Sequence, residues 1–134
     1  MKVHLTFLAM TVLGINVASA SADGQSLDIT VENSGKTALV CSASIAHWFS
    51  ADLGEVTPGE SRSFSFGVDV ATGNVFQLNS VGNKMAVQRI WCGQKGNDWI
   101  TRAEIPIERR AGVSPNPIHL RCVADTKSTR CTAA

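Results

Sequence analysis

Ser44, His47 and Asp52 bring a hydroxyl, an imidazole and a carboxylate close together in the chain. These are the side chains of nucleophilic acyl transfer. The residues around them do not support that chemistry. No serine sits in a Gly-flanked nucleophile turn, and no oxyanion hole is visible. Acids are too few to suggest paired-carboxylate hydrolysis. Gly93-Gln94-Lys95-Gly96 lacks the spacing of a phosphate loop.

Cys41, His47, Met85 and His119 supply the donor types of a mononuclear copper site. Such sites group Cys, His and Met on one loop, which this sequence does not do, and a disulfide would consume Cys41. His47, His119 and Met85 would remain as a weaker surface set. No CxxC occurs, so zinc has little support. No cofactor and no metal are expected.

Binding is another use of the same segment. Trp48 or Phe49 suits the anchor of a contact, His47 offers a pH-sensitive hydrogen bond, and Asp52 adds an acid. The structural reading is the preferred one: Trp48 and Phe49 complete the core and Asp52 caps or closes a turn. A second candidate is Arg109-Arg110, which opens a Pro-containing loop. With Arg89, Arg102 and Arg121 it could form a basic face for an acidic protein or an anionic glycan. The competing reading is ordinary solvated charge.

These residues need a frame, and the 134-residue chain is long enough for one domain only. Residues 1–20 begin with Lys2, continue through an apolar stretch from Leu5 to Ala18, and end in Ala18-Ser19-Ala20. That is a signal peptide pattern, followed by a single β domain over 21–134. The destination is periplasmic or secreted, with no membrane span after cleavage. Residues 21–83 hold two bases, Lys36 and Arg62, against seven acids; residues 84–134 hold nine bases against four acids. Either the halves interleave and the charges mix, or a basic face steers the molecule to an acidic partner. The overall balance excludes a strongly basic nucleic-acid binder.

Cys41, Cys92, Cys122 and Cys131 all lie after the export segment, an even count that suggests two disulfides. Ile118 to Val123 alternates like a strand, and Asp125-Thr126-Lys127-Ser128 is a polar turn. Folding back there sets Cys122 opposite Cys131 and Val123 opposite Arg130, at a spacing a disulfide accepts. Cys41 then pairs with Cys92.

The remaining chain reads as short strands. Leu27, Ile29 and Val31 alternate with polar residues, and Asn33-Ser34-Gly35-Lys36 turns. Residues 37–46 form an apolar run. Thr57-Pro58-Gly59-Glu60 is a turn, residues 63–70 alternate, and 75–78 with 85–91 flank a hairpin turn at 80–83. Trp99, Thr101, Ala103, Ile105 and Ile107 share one face of a predicted long strand, with Pro106 at an edge or bulge. Residues 109–117 form a loop. A short helical turn around Ile45 and Trp48 is the nearest approach to helix. Trp91 is expected to pack on a disulfide.

Strands recurring roughly every 8–12 residues point to an all-β fold: a small antiparallel β-sandwich, immunoglobulin-like by analogy of architecture, or a partly open barrel. The function expected is a non-enzymatic accessory or inhibitor-like module that binds another exported protein or envelope component. A small-ligand or copper carrier is the alternative, and a hydrolase ranks third.

Overall fold

The computed structural model describes residues 25–46 and 48–134. The expected export segment, residues 1–20, lies outside them. Nine strands occur among the described residues: β1 (Gln25–Asn33), β2 (Leu39–Ile45), β3 (Phe49–Val56), β4 (Ser61–Asp69), β5 (Asn74–Leu78), β6 (Lys84–Gln94), β7 (Ala103–Glu104), β8 (Ile118–Ala124) and β9 (Thr129–Ala133). They form a continuous sheet in the order β3-β2-β6-β5-β4-β1-β8-β9, with β7 added beside β6.

β6 joins the two wings of this sheet. Its first residues pair with β5, Phe76 facing Ala86, while its later residues pair with β2. The β2–β6 register shifts between Ser44 and Ile45, which leaves Gln88 as the extra residue of a bulge. The bulge bends β6 and so redirects one wing relative to the other. Leu27, Ile29 and Val31 from one wing and Leu39, Cys41, Ala43, Ile90 and Cys92 from the other belong to a single buried cluster. β9 lies against β6 and β7, and β3 against β1 and β4.

Both expected disulfides are present, Cys41–Cys92 and Cys122–Cys131. Each joins directly opposed residues, across β2–β6 and β8–β9, with Cα atoms 4.0 and 4.1 Å apart. Val123 faces Arg130, as the folding back at 125–128 requires. Asp125 holds that turn by accepting from the backbone N–H of Lys127 at 2.8 Å and of Ser128 at 2.9 Å. These bonds, the one from Lys127 first, keep its carboxyl below the usual aspartate range. Two such bridges fit an oxidising compartment.

Four expectations need correction. The sheet is mixed rather than antiparallel, because β8 runs parallel to β1, with Ile29 facing Ile118, and it does not close into a barrel. No helical turn forms among the described residues of 42–53. Ile45 faces Phe49 on β3, so the segment is a hairpin. The long strand over 99–107 is absent, since Asn97 O accepts from Thr101 N at 3.1 Å and Thr101 Oγ1 at 2.7 Å, pulling 97–101 into a turn. Only Ala103 and Glu104 pair with β6, and Ile105 N adds one bond to Ile90 O at 2.8 Å before Pro106. Trp91 is buried, but not on the Cys41–Cys92 bridge. It points to the face opposite Cys92, meets Trp99 edge-on at 5.1 Å and donates from Nε1 to Asp98.

Asn33 ties the turns together. Its side chain is fully buried, donates to Thr37 O at 2.8 Å and Val56 O at 2.9 Å, and accepts from Gly35 N at 3.0 Å. Replacing Asn33 with Ala strands these backbone groups, and a loss of about 2–3 kcal/mol is expected in urea unfolding. The loops closed by the two bridges span 51 and 9 residues of sequence separation. On the loop-entropy model they stabilise by about 4 and about 2.5 kcal/mol. Thermal melts of Cys92→Ser and Cys122→Ser should therefore show the larger drop for Cys92→Ser.

Candidate functional site

Trp48 is the most unusual residue of the fold. It adopts φ 70° in the turn between β2 and β3. That left-handed conformation costs an ordinary residue about 1–2 kcal/mol. The expected compensation, burial of the indole, does not occur: Trp48 is 102% exposed and Phe49 63%. The structural alternative for this pair, completion of the core, is thereby corrected. His47, the third member of the turn, lies outside the described residues.

A second hairpin tip lies close to this turn. Ala46 N donates to Ala86 O, which sets the β2–β3 tip beside the start of β6. The β5–β6 hairpin tip, residues 79–83, lies at this same end of the sheet; Val81 within it is 76% exposed, and Leu78, the last residue of β5, is 57% exposed. Trp48, Phe49, Leu78 and Val81 therefore gather on two neighbouring tips. Nothing in residues 79–83 marked them as exposed apolar surface in the sequence. The register of β6 against both β2 and β5 brings them there.

Asp52 lies on β3, opposite Ser42, and Oδ1 accepts from Gly54 N at 2.8 Å. This bond shapes a bulge between Cys41 and Ser42 of β2 and the facing residues 52–54. Gly54, at φ 108°, sits where any side chain would strike Arg62. Arg62 Nε donates to Leu53 O at 3.0 Å and its Nη1 donates to Glu55 O at 3.3 Å. Asp52 thus closes local structure as well as carrying charge at the tip.

Arg109 and Arg110 diverge. Arg109 donates to Val87 O at 2.7 Å and Gln88 O at 3.3 Å, so it caps the bulge of β6. Arg110 pairs with Glu108 at 2.7 Å on the surface. It borders a cleft of about 410 Å³ whose floor is Leu27, Val68 and Val75 and whose wall is the loop around Pro115 and Pro117. This cleft adjoins the β4–β5 turn, at the other end of β5 from Trp48. The structure does not unite the two groups of candidate residues.

The proposed basic face is largely neutralised. Arg89 and Arg102 both approach Glu104, at 3.6 and 3.4 Å, and Arg102 also lies 3.9 Å over the Trp99 ring. Arg121 meets Glu32 at 3.5 Å and Lys95 meets Glu55 at 2.8 Å, pairs that mix the basic and acidic halves of the chain. All are solvent-accessible and worth at most about 1 kcal/mol each.

The chemical candidates separate. Cys41 is held in a disulfide, Met85 is on β6, and His119 is on β8, with β5, β4 and β1 between them. Among the described residues, no group of three His, Cys, Asp or Glu side chains is placed to hold a metal. Ser44 faces Ser50 and Arg89 rather than an acid. Comparison with protein families and with characterised proteins finds no match.

Trp48→Gly and Trp48→Ala both delete the indole, but only glycine accepts φ 70° freely. In chemical denaturation Trp48→Gly should be about 1 kcal/mol more stable than Trp48→Ala, the difference reporting the strain of the turn.

Proposed function

We propose that this chain is an exported, non-enzymatic binding module that recognises another exported protein or envelope component. One observation carries the reading: Trp48 is held in a costly backbone conformation that projects the indole into solvent. Strain that brings no packing is a signature of function rather than of folding. Aromatic side chains are the commonest anchors of protein contacts, and Phe49 beside it, with Leu78 and Val81 at the same end of the sheet, are further exposed apolar residues.

Export is supported by the pattern of residues 1–20 together with the oxidised cysteines. The two wings packed on one core suggest a β-sandwich, immunoglobulin-like only by analogy of architecture. Such a stapled frame presents hairpin tips at low entropic cost. The scarcity of reactive side chains speaks against an enzyme. A small-ligand carrier takes second place, supported by the cleft beside Arg110, whose volume suits a small molecule.

The test is capture from the native envelope fraction by the immobilised, disulfide-bonded protein. Wild type should retain a discrete partner, and Trp48→Ala should retain at least about tenfold less, as for an interface anchor. Equal retention by wild type, Trp48→Ala and Phe49→Ala would remove the reading.

A further inference from the structure

β3 and β9 are the outer strands of the sheet. Unpaired outer strands invite pairing with other chains, and proteins usually seal them. β9 lies against β6 and β7. β3 is sealed over half of its length, where Arg62 occupies the carbonyls of Leu53 and Glu55. Among the described residues, its first half carries no such guard.

The direction of the bonding groups there follows from the register. Ala46 N donates to Ala86 O, so even-numbered residues of β2 turn their backbone groups toward β6. The close Cα approach of Cys41 and Cys92, 4.0 Å, is that of a non-hydrogen-bonded pair and gives the same phase. Ala43 and Ile45 therefore bond toward β3, and their partners Ala51 and Phe49 bond back to β2. Ser50 and Asp52 are left with N–H and C=O pointing away from the sheet. Among the described residues, no loop or side chain takes these groups.

We infer that a second copy of this chain pairs with this open stretch. The two β3 strands run antiparallel about a twofold axis at Ala51. Ser50 of each copy faces Asp52 of the other, and each such pair exchanges both backbone hydrogen bonds. The stretch is complementary to itself in this register. A hydroxyl meets each carboxylate, and Phe49 comes beside Leu53 of the second copy. Trp48 arrives over Gly54, where Arg62 presents its guanidinium to the indole face. Neighbouring registers are worse. Centring on Asp52 opposes two carboxylates and drives each strand into Arg62. Centring on Ser50 sets Trp48 against Asp52 and gives Phe49 only the methyl of Ala51 in place of Leu53. The bulge at 52–54 ends the pairing, so the contact is short and the dimer is a reversible one.

Sedimentation equilibrium of the purified protein with both disulfides formed, from micromolar to millimolar concentration, tests this. A monomer–dimer equilibrium is expected. Ser50→Pro deletes an outward N–H that the monomer does not use, and should weaken dimerisation at least about tenfold. Trp48→Gly should weaken it as well. Amide exchange at Ser50 and Asp52 of the wild-type protein should be fast when dilute and slow with rising concentration, a readout that stands even if Ser50→Pro folds poorly. A monomer at every concentration overturns the inference. So does a dimer in which exchange at Ser50 and Asp52 is unaffected by concentration. Neither result touches envelope capture through Trp48, which is measured separately.

Discussion

The register of β2 against β6 governs most of what this molecule presents to solvent. Cys41 and Cys92 are directly opposed on these strands and covalently joined in the core. A slip by one residue would turn Leu39, Ala43 and Ile45 outward and is forbidden by the bridge. The same register fixes which groups of β3 face water, and it sets the β2–β3 tip beside the β5–β6 tip. Core and exposed aromatic surface thus depend on one pairing. The bridge need not be reactive to matter functionally, because it determines where the aromatic residues emerge.

Polar side chains finish what the strands leave open. Asn33, Arg62, Arg109 and Thr101 each bond the backbone where pairing stops or shifts. Arg62 guards an edge, and Arg109 covers the carbonyls freed by the bulge of β6. Neither arginine is free to dock an acidic partner without undoing local structure. Reading basic residues as a binding face assumes that they are unoccupied. In a small sheet with many irregular ends, guanidinium groups are drawn first to unpaired carbonyls.

Much of the frame is legible in the chain itself. Alternation marks β1, β4 and β8, Pro58-Gly59 marks its turn, and cross-strand geometry is enough to assign Cys122 to Cys131. The failures share a cause, which is that pairing between distant segments decides the outcome. Ser50-Ala51-Asp52-Leu53-Gly54 has little strand preference and becomes β3 because β2 needs a partner. Residues 99–107 alternate as a strand should, but Thr101 Oγ1 donates to Asn97 O and accepts from Gln94 N, which draws 97–101 into a turn. The parallel contact of β1 and β8 leaves no trace in residue periodicity, which is the same for either direction. At the candidate site, the hairpin segment was visible as chemically unusual. Its exposure was not, because large aromatics normally go inside. Arg110 was legible as a loop cation, while its distance from Trp48 depends on β5 running between the two ends.

The unsealed half of β3 and the strained Trp48 are adjacent, and each makes the other easier to understand. An exposed indole alone is a solubility hazard, and an open strand edge alone is an aggregation hazard. Sequences free to remove both can do so cheaply, since glycine relieves the turn and a lysine or proline blocks the edge. This fold already uses such a device one bulge further along, at Arg62. The guard stops where the aromatic residues begin, so the chain separates a protected edge from an available one within eight residues of strand. The bulge at Gly54 is the boundary between them. It limits how far any incoming strand can extend, which favours short, reversible contacts over growth of the sheet.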